Sequence, residues 1–263
     1  NYAVATDGDA GGTMPGDFQT IATSDGGLSI NTDGGNDVYL EADSSPFSGQ
    51  SAVTVEVQFS SDSPPTGSEM TPLISYADAT NADELFIGID SSGEIFLRTS
   101  ANGVDTWNGS STTTDLSNLF DGEKHSIAVS WENTGGVLMF YVDGEKLGDG
   151  RNDYQKTTTI DAGGTLAFGQ HLGVGGASFD SNDVFSGTLY DVRIFDDVRT
   201  AQEIKNSYQS ELPYDEAGLI ANWRFDQLSA DGIVTDTVAG NNLTVKHVSA
   251  PGFTSSSSSL TFS

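Results

Sequence analysis

Apolar and polar residues alternate along much of the chain, and this period of two most constrains what it can fold into. Residues 53–59 read Val-Thr-Val-Glu-Val-Gln-Phe, so four apolar side chains fall on one face of an extended strand. Residues 85–89 and 94–97 are further strand-like runs, separated by the turn sequence Asp-Ser-Ser-Gly at 90–93. The pattern predicts antiparallel hairpins and an all-β chain.

A second hairpin and further strands extend this pattern. Residues 126–131 and 137–142 flank a Gly-containing turn at 132–136, and Asp143-Gly144 follows as a tight-turn signal. Additional strand-like runs lie at 166–168, 185–195 and 219–225.

One short helix is predicted among the strands. Thr200 and Glu203 have the spacing of a capping box, in which each side chain accepts a hydrogen bond from the other residue's backbone N–H. The helix should run from Ala201 to about Gln209, and Pro213 prevents its continuation. Many strands with one short helix predict a two-sheet antiparallel sandwich or jelly roll.

The chain is strongly acidic, which narrows the classes of partner. Its 263 residues carry 38 acidic and 10 basic side chains, a formal net charge of −28, and 27 of the acids are Asp. This charge disfavours nucleic acid and anionic membrane surfaces as partners. Two explanations stay open, adaptation to high salt and the holding of divalent cations, and both suit an extracellular protein.

The sequence also lacks cysteine, a membrane-spanning segment and a signal-peptide pattern, and this further restricts the class of protein. The chain has no cysteine, which excludes a disulfide scaffold. Its longest apolar run, at 137–142, is too short for a membrane span, so no membrane insertion is expected. There is no initiator Met and no signal-peptide pattern, so we expect a mature piece or a fragment of a longer protein.

Four stretches occur in a recognisable order along the chain. They are residues 73–76 with 83–86, residues 124–132 with 137–147, residues 163–170 with 179–180 and 185–195, and residues 196–204. In this order and spacing they resemble the pentraxin and laminin-G-like family of concanavalin A-like jelly rolls. The resemblance implies a two-sheet antiparallel jelly-roll sandwich.

The C-terminal part carries a second resemblance. Residues 218–226, 234–236 and 240–244 resemble the stretch with which bacterial laminin-G-like modules often begin. The chain is therefore either part of a tandem array or a single sandwich that this segment folds back to complete, and we expect the second. We predict a jelly roll over residues 1–248, with a Ser-rich segment and C-terminal strand over 249–263 folded back onto it.

The resemblance also implies calcium, which family members hold between the loop before Asp83-Glu84 and the loop over residues 170–183. Pentraxins have Asp-Asn where this chain has Ala82-Asp83, and Glu-Gln-Asp where it has His171-Leu172-Gly173. Most of the family's side-chain ligands are thus replaced. The candidate calcium ligands that remain are Asp83, Asp183, Asp180, Asp78 and Asn81. The alternative is that these residues cap turns on an acidic surface.

A sugar site needs an exposed aromatic side chain with polar groups beside it. Trp107 lies in a loop-like setting and is the first candidate, and Tyr154 is a second loop aromatic. His171 replaces a family metal-loop acid, so it either contacts a ligand or marks a metal site that has been lost, and it is a candidate ligand contact on the first interpretation. Asn182 lies in the same loop and is a further candidate. The other two tryptophans, Trp131 and Trp223, are predicted to pack in the core, and His125 is predicted to be structural.

Sequence signatures of catalysis are missing. There is no Glu-x-Asp-x-x-Glu of concanavalin-type glucanases, no Gly-x-Ser-x-Gly and no His-Glu-x-x-His. We predict a non-catalytic, calcium-dependent, lectin-like module of a large secreted or cell-surface bacterial adhesin. Its partners would be a glycan on a cell or extracellular surface and neighbouring modules of the same long chain. The alternatives are a protein- or peptide-binding adhesion module and a structural spacer without a sugar site.

Overall fold

The computed structural model describes residues 26–31, 38–101, 104–109, 113–176, 179–226, 228–229, 232–247 and 261–262. Within them, strands form two eight-stranded sheets and one two-stranded ribbon. The strands are β1 (Leu28–Ile30), β2 (Val38–Ala42), β3 (Ala52–Ser60), β4 (Met70–Ala77), β5 (Leu85–Asp90), β6 (Ile95–Ala101), β7 (Val104–Gly109), β8 (His125–Glu132), β9 (Val137–Val142), β10 (Glu145–Arg151), β11 (Thr165–Phe168), β12 (Gln170–Leu172), β13 (Phe179–Val184), β14 (Gly187–Phe195), β15 (Leu219–Arg224), β16 (Ile233–Val234), β17 (Leu243–His247) and β18 (Thr261–Phe262).

The pairing of these strands is antiparallel throughout the described residues, which confirms the predicted fold class. Sheet A has the order β10-β9-β8-β3-β14-β1-β18, with β15 also paired to β14. Sheet B has the order β16-β17-β2-β11-β4-β5-β6-β7. The two predicted hairpins are β5–β6 and β8–β9.

The core lies between the sheets and is built from the alternating positions. Val55, Val57 and Phe59 of β3 are at most 1% exposed. Trp131 and Trp223 are fully buried, as predicted, and Trp223 meets Phe168 of sheet B edge to face at 5.3 Å. The alternation read from the sequence therefore fixes which face of each strand is inside.

The ribbon β12–β13 lies on the face of sheet B that is turned away from this core. The backbone N–H of Leu172 donates to Ser75 Oγ of β4 at 3.0 Å. Leu172 and the partly buried Phe179 pack with Tyr39 in a small cluster that is separate from the main core. The ribbon therefore holds residues 170–184 over β4, next to the loop that joins β4 to β5.

The C-terminal segments contribute to both sheets. β15 pairs with β14, β17 with β2, and β18 with β1. The Ser-rich run at 255–259 lies outside the described residues. The predicted boundary at residue 248 stays a prediction.

The predicted helix is present, and one more accompanies it. α2 (Ala201–Ser207) begins at the capping box, with Thr200 N–H donating to Glu203 Oε2 at 2.7 Å. It ends two residues earlier than predicted. α1 (Leu116–Leu119) was not predicted, because a single turn capped by Asp115 is too short to show a helical period. None of the described helices is long and apolar enough to cross a membrane.

Candidate functional site

Asp83, His171 and Asp183 come from three separate segments and meet where the ribbon crosses sheet B. Asp83 lies in the β4–β5 loop, one residue before its end, His171 is the middle residue of β12, and Asp183 lies in β13. His171 Nε2 is 2.8 Å from Asp83 Oδ1, and Nδ1 is 3.0 Å from Asp183 Oδ2. These three side chains form a continuous hydrogen-bonded unit, the Asp–His–Asp bridge.

Arg98 of β6 completes this site, and the sequence analysis did not single it out. Its Nη2 lies 3.0 Å from Asp83 Oδ2, and the backbone N–H of Met70 donates to Asp183 Oδ1 at 2.9 Å. All four carboxylate oxygens of the bridge therefore have an N–H partner from the protein. The one sequence signal was a lone basic residue directly after the apolar residues 95–97.

The two carboxylates determine the protonation state of His171. Burial of the imidazole opposes its positive charge, but the hydrogen bonds to Asp183 and Asp83 and their negative charges outweigh burial and raise the pKa of His171 to about 9. Both ring nitrogens face acceptors, so both carry a proton at neutral pH. With Arg98, two cations then balance the two carboxylates.

This balance predicts a pH-dependent contribution of His171 to stability. The pKa of His171 in the folded protein lies above its ordinary value of 6.5, so the contribution is complete below about pH 6.5 and disappears as the pH rises through about 9. We expect the difference in the free energy of unfolding between wild type and His171→Gln to fall by about 2–3 kcal/mol from pH 6 to pH 10, measured by urea denaturation.

His125 provides a matched control for this measurement. It also lies between two aspartates, with Nδ1 2.9 Å from Asp143 Oδ2 and Nε2 3.2 Å from Asp121 Oδ1. Both of those carboxylates are 40% exposed, so solvent screens them. His125→Gln should therefore change stability much less. Equal pH profiles for the two variants would contradict the contribution assigned to His171.

A second group of acidic residues lies beside the bridge, and only one of them, Asp78, was among the predicted metal ligands. Asp78, Glu84 and Asp161 place carboxylate oxygens within 4.8 Å of one another, and we refer to them as the acidic cluster. Asp78 begins the β4–β5 loop and Glu84 ends it, whereas Asp161 precedes β11. Glu84 and Asp161 were missed because no sequence pattern brings residues 84 and 161 together.

Hydrogen bonds within the cluster use only part of its oxygens. Asp78 Oδ1 accepts from the N–H groups of Thr80 and Asn81, both at 2.7 Å. Glu84 Oε1 accepts from the Asp161 N–H at 2.7 Å. Asn81 Nδ2 makes only long contacts, of 3.3 Å to Asp78 Oδ2 and 3.2 Å to Glu84 Oε2. Each of these two carboxylates thus keeps one weakly engaged oxygen.

The acidic cluster has a net negative charge, unlike the bridge. Among the described residues, no basic side chain forms an ion pair with any of its three carboxylates. Burial raises the pKa of Glu84, and the charges of Asp78 and Asp161 add to this effect against the hydrogen bond from the Asp161 N–H. The cluster therefore holds repelling charges that a cation would stabilise.

The two groups differ in how well they fit calcium, which takes six to eight oxygen ligands. At the bridge, imidazole and guanidinium N–H groups already occupy three of the four oxygens, so the predicted ligands Asp83 and Asp183 do not suit calcium. At the cluster, hard carboxylate oxygens converge without a cation. Of the predicted metal ligands, Asp78 and Asn81 belong to this second group. Asp180 lies in β13, and its side chain is outside the described residues.

Two predicted sugar contacts are placed differently from the expectation. Tyr154 is 5% exposed, and its hydroxyl bonds to Thr99 Oγ1 at 3.0 Å, so its ring is part of the core and not an exposed platform. Its loop folds inward because Trp131 Nε1 donates to the Tyr154 carbonyl at 3.2 Å. Trp107 lies in strand β7 and not in a loop, opposite Arg98 in the register; its side chain is outside the described residues.

The remaining ligand candidates lie near the ribbon. Asn182 is exposed in β13, directly before Asp183. At the ribbon tip, the N–H of Gly175 donates to the Asp78 carbonyl at 2.7 Å, and Val174 is exposed beside it. The acidic cluster and an exposed apolar side chain therefore share one rim of the sandwich.

Comparison with known families places most of the chain in one of them. Residues 33–205 match the laminin G family described as the concanavalin A-like lectin/glucanases superfamily. The match covers the four stretches singled out in the sequence from residue 73 to residue 204.

Curated relatives match over shorter stretches. The chain is 41% identical to human neuronal pentraxin-2 over 86 residues, which are 33% of this chain and 20% of the relative. It is 33% identical over 117 residues, 44% of this chain, to the mouse sushi, von Willebrand factor type A, EGF and pentraxin domain-containing protein 1. The match spans 3% of that long protein.

Solved structures show the same fold. A heptameric SAP-like pentraxin from Limulus polyphemus superimposes with a TM-score of 0.57 at 17% identity, covering 87% of this chain and 98% of the pentraxin. A candidate carbohydrate-binding protein from Bacteroides ovatus gives a TM-score of 0.58 at 16% identity, covering 86% of this chain and 61% of that protein. At these identities the likeness concerns the fold.

Proposed function

Because the chain belongs to the concanavalin A-like lectin/glucanases superfamily as a laminin G domain, we propose that it is a non-catalytic carbohydrate-binding module. The lectin-like fold supports this, as does the same fold in a candidate carbohydrate-binding protein. The sequence has no Glu-x-Asp-x-x-Glu, which favours binding over hydrolysis.

The observation that carries the proposal is the uncompensated acidic cluster at an exposed rim. Asp78, Glu84 and Asp161 offer oxygens to a hard cation, and the neighbouring ribbon tip presents Val174 to solvent. Three carboxylates supply fewer ligands than the six to eight that calcium takes, so several positions would stay open to water or ligand hydroxyls. Calcium bound there would supply a Lewis-acidic centre for vicinal sugar hydroxyls.

The protein residues would orient this site in two ways. Hydrogen bonds from Thr80 and Asn81 fix the carboxylate of Asp78, and the Asp161 N–H fixes that of Glu84. The ligand ring would lie over the rim, where Val174 offers an apolar contact. Asn182, which is exposed next to Asp183 of the bridge, is kept as a candidate polar contact. We retain Trp107 as a further candidate contact.

Removing the exposed carboxylate of the cluster should weaken calcium binding. We expect Asp161→Asn to reduce calcium affinity at least about tenfold in calorimetry, because one of three charged ligands is lost. Asp62→Asn is the matched control, since it removes an exposed carboxylate that, among the described residues, accepts a side-chain hydrogen bond only from Ser63. Unchanged affinity in Asp161→Asn would place any calcium elsewhere.

A glycan array run in calcium and in EDTA tests the whole proposal. We expect binding to a limited set of glycans in calcium and its loss in EDTA. Binding that persists in EDTA would remove the calcium part and keep the carbohydrate part. Absence of binding to any glycan in both buffers would overturn the carbohydrate proposal.

We also propose an extracellular setting, as a module of a large bacterial surface adhesin. The net charge of −28 suits a calcium-containing or saline medium. One matched relative is far longer than its matching segment, which suits a module next to other modules of the same chain. Cell fractionation of the full-length protein tests this part.

The alternative function is peptide binding by strand addition, but the edge strand β10 is poorly suited to pair with a peptide. β10 carries Glu145, Lys146, Asp149 and Arg151, and its register with β9 is irregular between Leu147 and Arg151. Charges and bulges on an edge strand prevent pairing with another chain.

A further inference from the structure

The Asp–His–Asp bridge stands where the family resemblance implies calcium. Asp83 lies in the first of the two family calcium loops, and His171 takes the place of an acid in the second. The structure joins these residues directly, at 2.8 Å and 3.0 Å, with His171 between Asp83 and Asp183. A protein side chain thus crosses the position at which the resemblance implies a metal ion.

We infer that this chain has replaced the family calcium at this position with two of its own cations, His171 and Arg98. Each of these two cations binds one carboxylate oxygen of Asp83, and of the two only His171 also binds Asp183. The inference concerns a different site from the acidic cluster and does not depend on sugar binding.

The donor set argues against a metal ion here. Calcium binds oxygen and not protonated nitrogen, and all four carboxylate oxygens already accept N–H bonds of 2.8 to 3.0 Å. An entering ion would have to expel an imidazole whose side chain is only 12% exposed. The side chains of Asp83 and Asp183 are 2% and 5% exposed, so carboxylates that lost their imidazole partner would be poorly hydrated.

The bridge also explains how the ribbon stays in place without metal. His171 ties β12 to the β4–β5 loop through Asp83, and to β13 through Asp183. The centroid of the His171 ring lies 4.4 Å from that of the Phe86 ring, so His171 also packs against β5. The ribbon tip then holds Asp78 by the Gly175 N–H. The rim is therefore prepared for a ligand before any calcium binds.

The decisive experiment uses the Asp161→Asn protein, in which the acidic cluster is disabled. In ¹⁵N-histidine NMR at neutral pH we expect both ring N–H groups of His171, and we expect both to persist when calcium chloride is added. Loss of either signal on calcium addition, or a single-tautomer pattern without calcium, would overturn the inference. The proposed cluster site fails separately, if calcium affinity is equal in wild type and Asp161→Asn.

A second variant tests the role of His171 in stability. His171→Gln should melt roughly 5–10 °C below wild type, and adding calcium chloride to both proteins should leave this difference unchanged, because calcium bound at the acidic cluster would stabilise both equally. His125→Gln, which alters the more exposed bridge between Asp121 and Asp143, should cost clearly less. The inference would be overturned if His171→Gln melted at the wild-type temperature, or if calcium chloride removed the difference between the two proteins.

Discussion

Replacing Arg193 by Met is expected to lower the free energy of unfolding by about 4 kcal/mol at pH 7. Arg193 is 1% exposed and joins two buried carboxylates on sheet A. Its Nη2 lies 2.6 Å from Asp191 Oδ2, and its Nη1 lies 3.1 Å from Glu56 Oε2. Nη1 also donates to the Ser207 carbonyl at the end of α2, at 2.9 Å. Methionine fills most of the volume but leaves both carboxylates without the guanidinium that binds them directly.

The loss should become smaller in acid, for a reason that can be measured. Burial already raises the pKa values of Glu56 and Asp191 in spite of Arg193. Without the guanidinium both pKa values rise further, so the folded variant binds more protons than the unfolded chain and its stability increases as the pH falls. Urea denaturation of wild type and Arg193→Met at pH 7 and pH 5 should show this convergence.

Arg224→Met is the matched control for Arg193→Met. Arg224 pairs with Glu211, whose side chain is 77% exposed, so its loss should cost less than about 1 kcal/mol. Equal losses for the two variants would show that the buried carboxylates near Arg193 find other partners.

Strand positions and turns were predictable because they depend on neighbours in sequence. The alternation in residues 53–59 requires one buried face, and the capping box at Thr200 and Glu203 is local. The resemblance implied the two-sheet antiparallel jelly roll. These elements were therefore predicted correctly from the sequence.

The site was less predictable because it depends on contacts across sheets. Arg98 reaches Asp83 only because β5 and β6 pair in a register that sets Arg98 opposite Phe86. Tyr154 stands in a polar run of sequence, yet the loop turns inward to Trp131. His171 was recognised as a replacement for an acid, but its place between two aspartates follows only from the crossing of the ribbon over β4.

The bridge and the cluster show two treatments of carboxylates in one loop. Asp83 is neutralised by protein cations, whereas the adjacent Glu84 faces two further acids. A charge-balanced group holds structure and has little use for a metal ion. An unbalanced one gains from a cation. The adjacent residues Asp83 and Glu84 therefore separate a structural role from a ligand-binding role within the same loop.

Replacing Asp236 by Ala should lower the free energy of unfolding by about 4 kcal/mol, because its carboxylate organises the loop that joins β16 to β17. Asp236 is 4% exposed. Its Oδ1 accepts from the backbone N–H groups of Asn222 and Val238 at 2.9 and 3.0 Å. Its Oδ2 accepts from those of Ala239 and Asn241 at 3.1 and 3.0 Å. Alanine would leave four backbone donors without their acceptor, and two of these donors belong to the buried residues Asn222 and Asn241.

Asp90→Ala is the control for Asp236→Ala, because it measures the loss in the free energy of unfolding when an aspartate is removed from an exposed turn. Asp90 Oδ1 accepts from the N–H groups of Ser92 and Glu94 at 2.9 and 3.0 Å, but the turn is largely exposed and water can replace the carboxylate. Its loss should cost about 1 kcal/mol.

Asp236→Ala should also affect the ribbon. The loop that contains Asp236 leads into β17, which pairs with β2, and Tyr39 of β2 belongs to the same apolar cluster as Leu172 of the ribbon. Hydrogen exchange should therefore become faster in β12 for Asp236→Ala but not for Asp90→Ala, and equal exchange in both variants would show that the loop acts only on its own edge of sheet B.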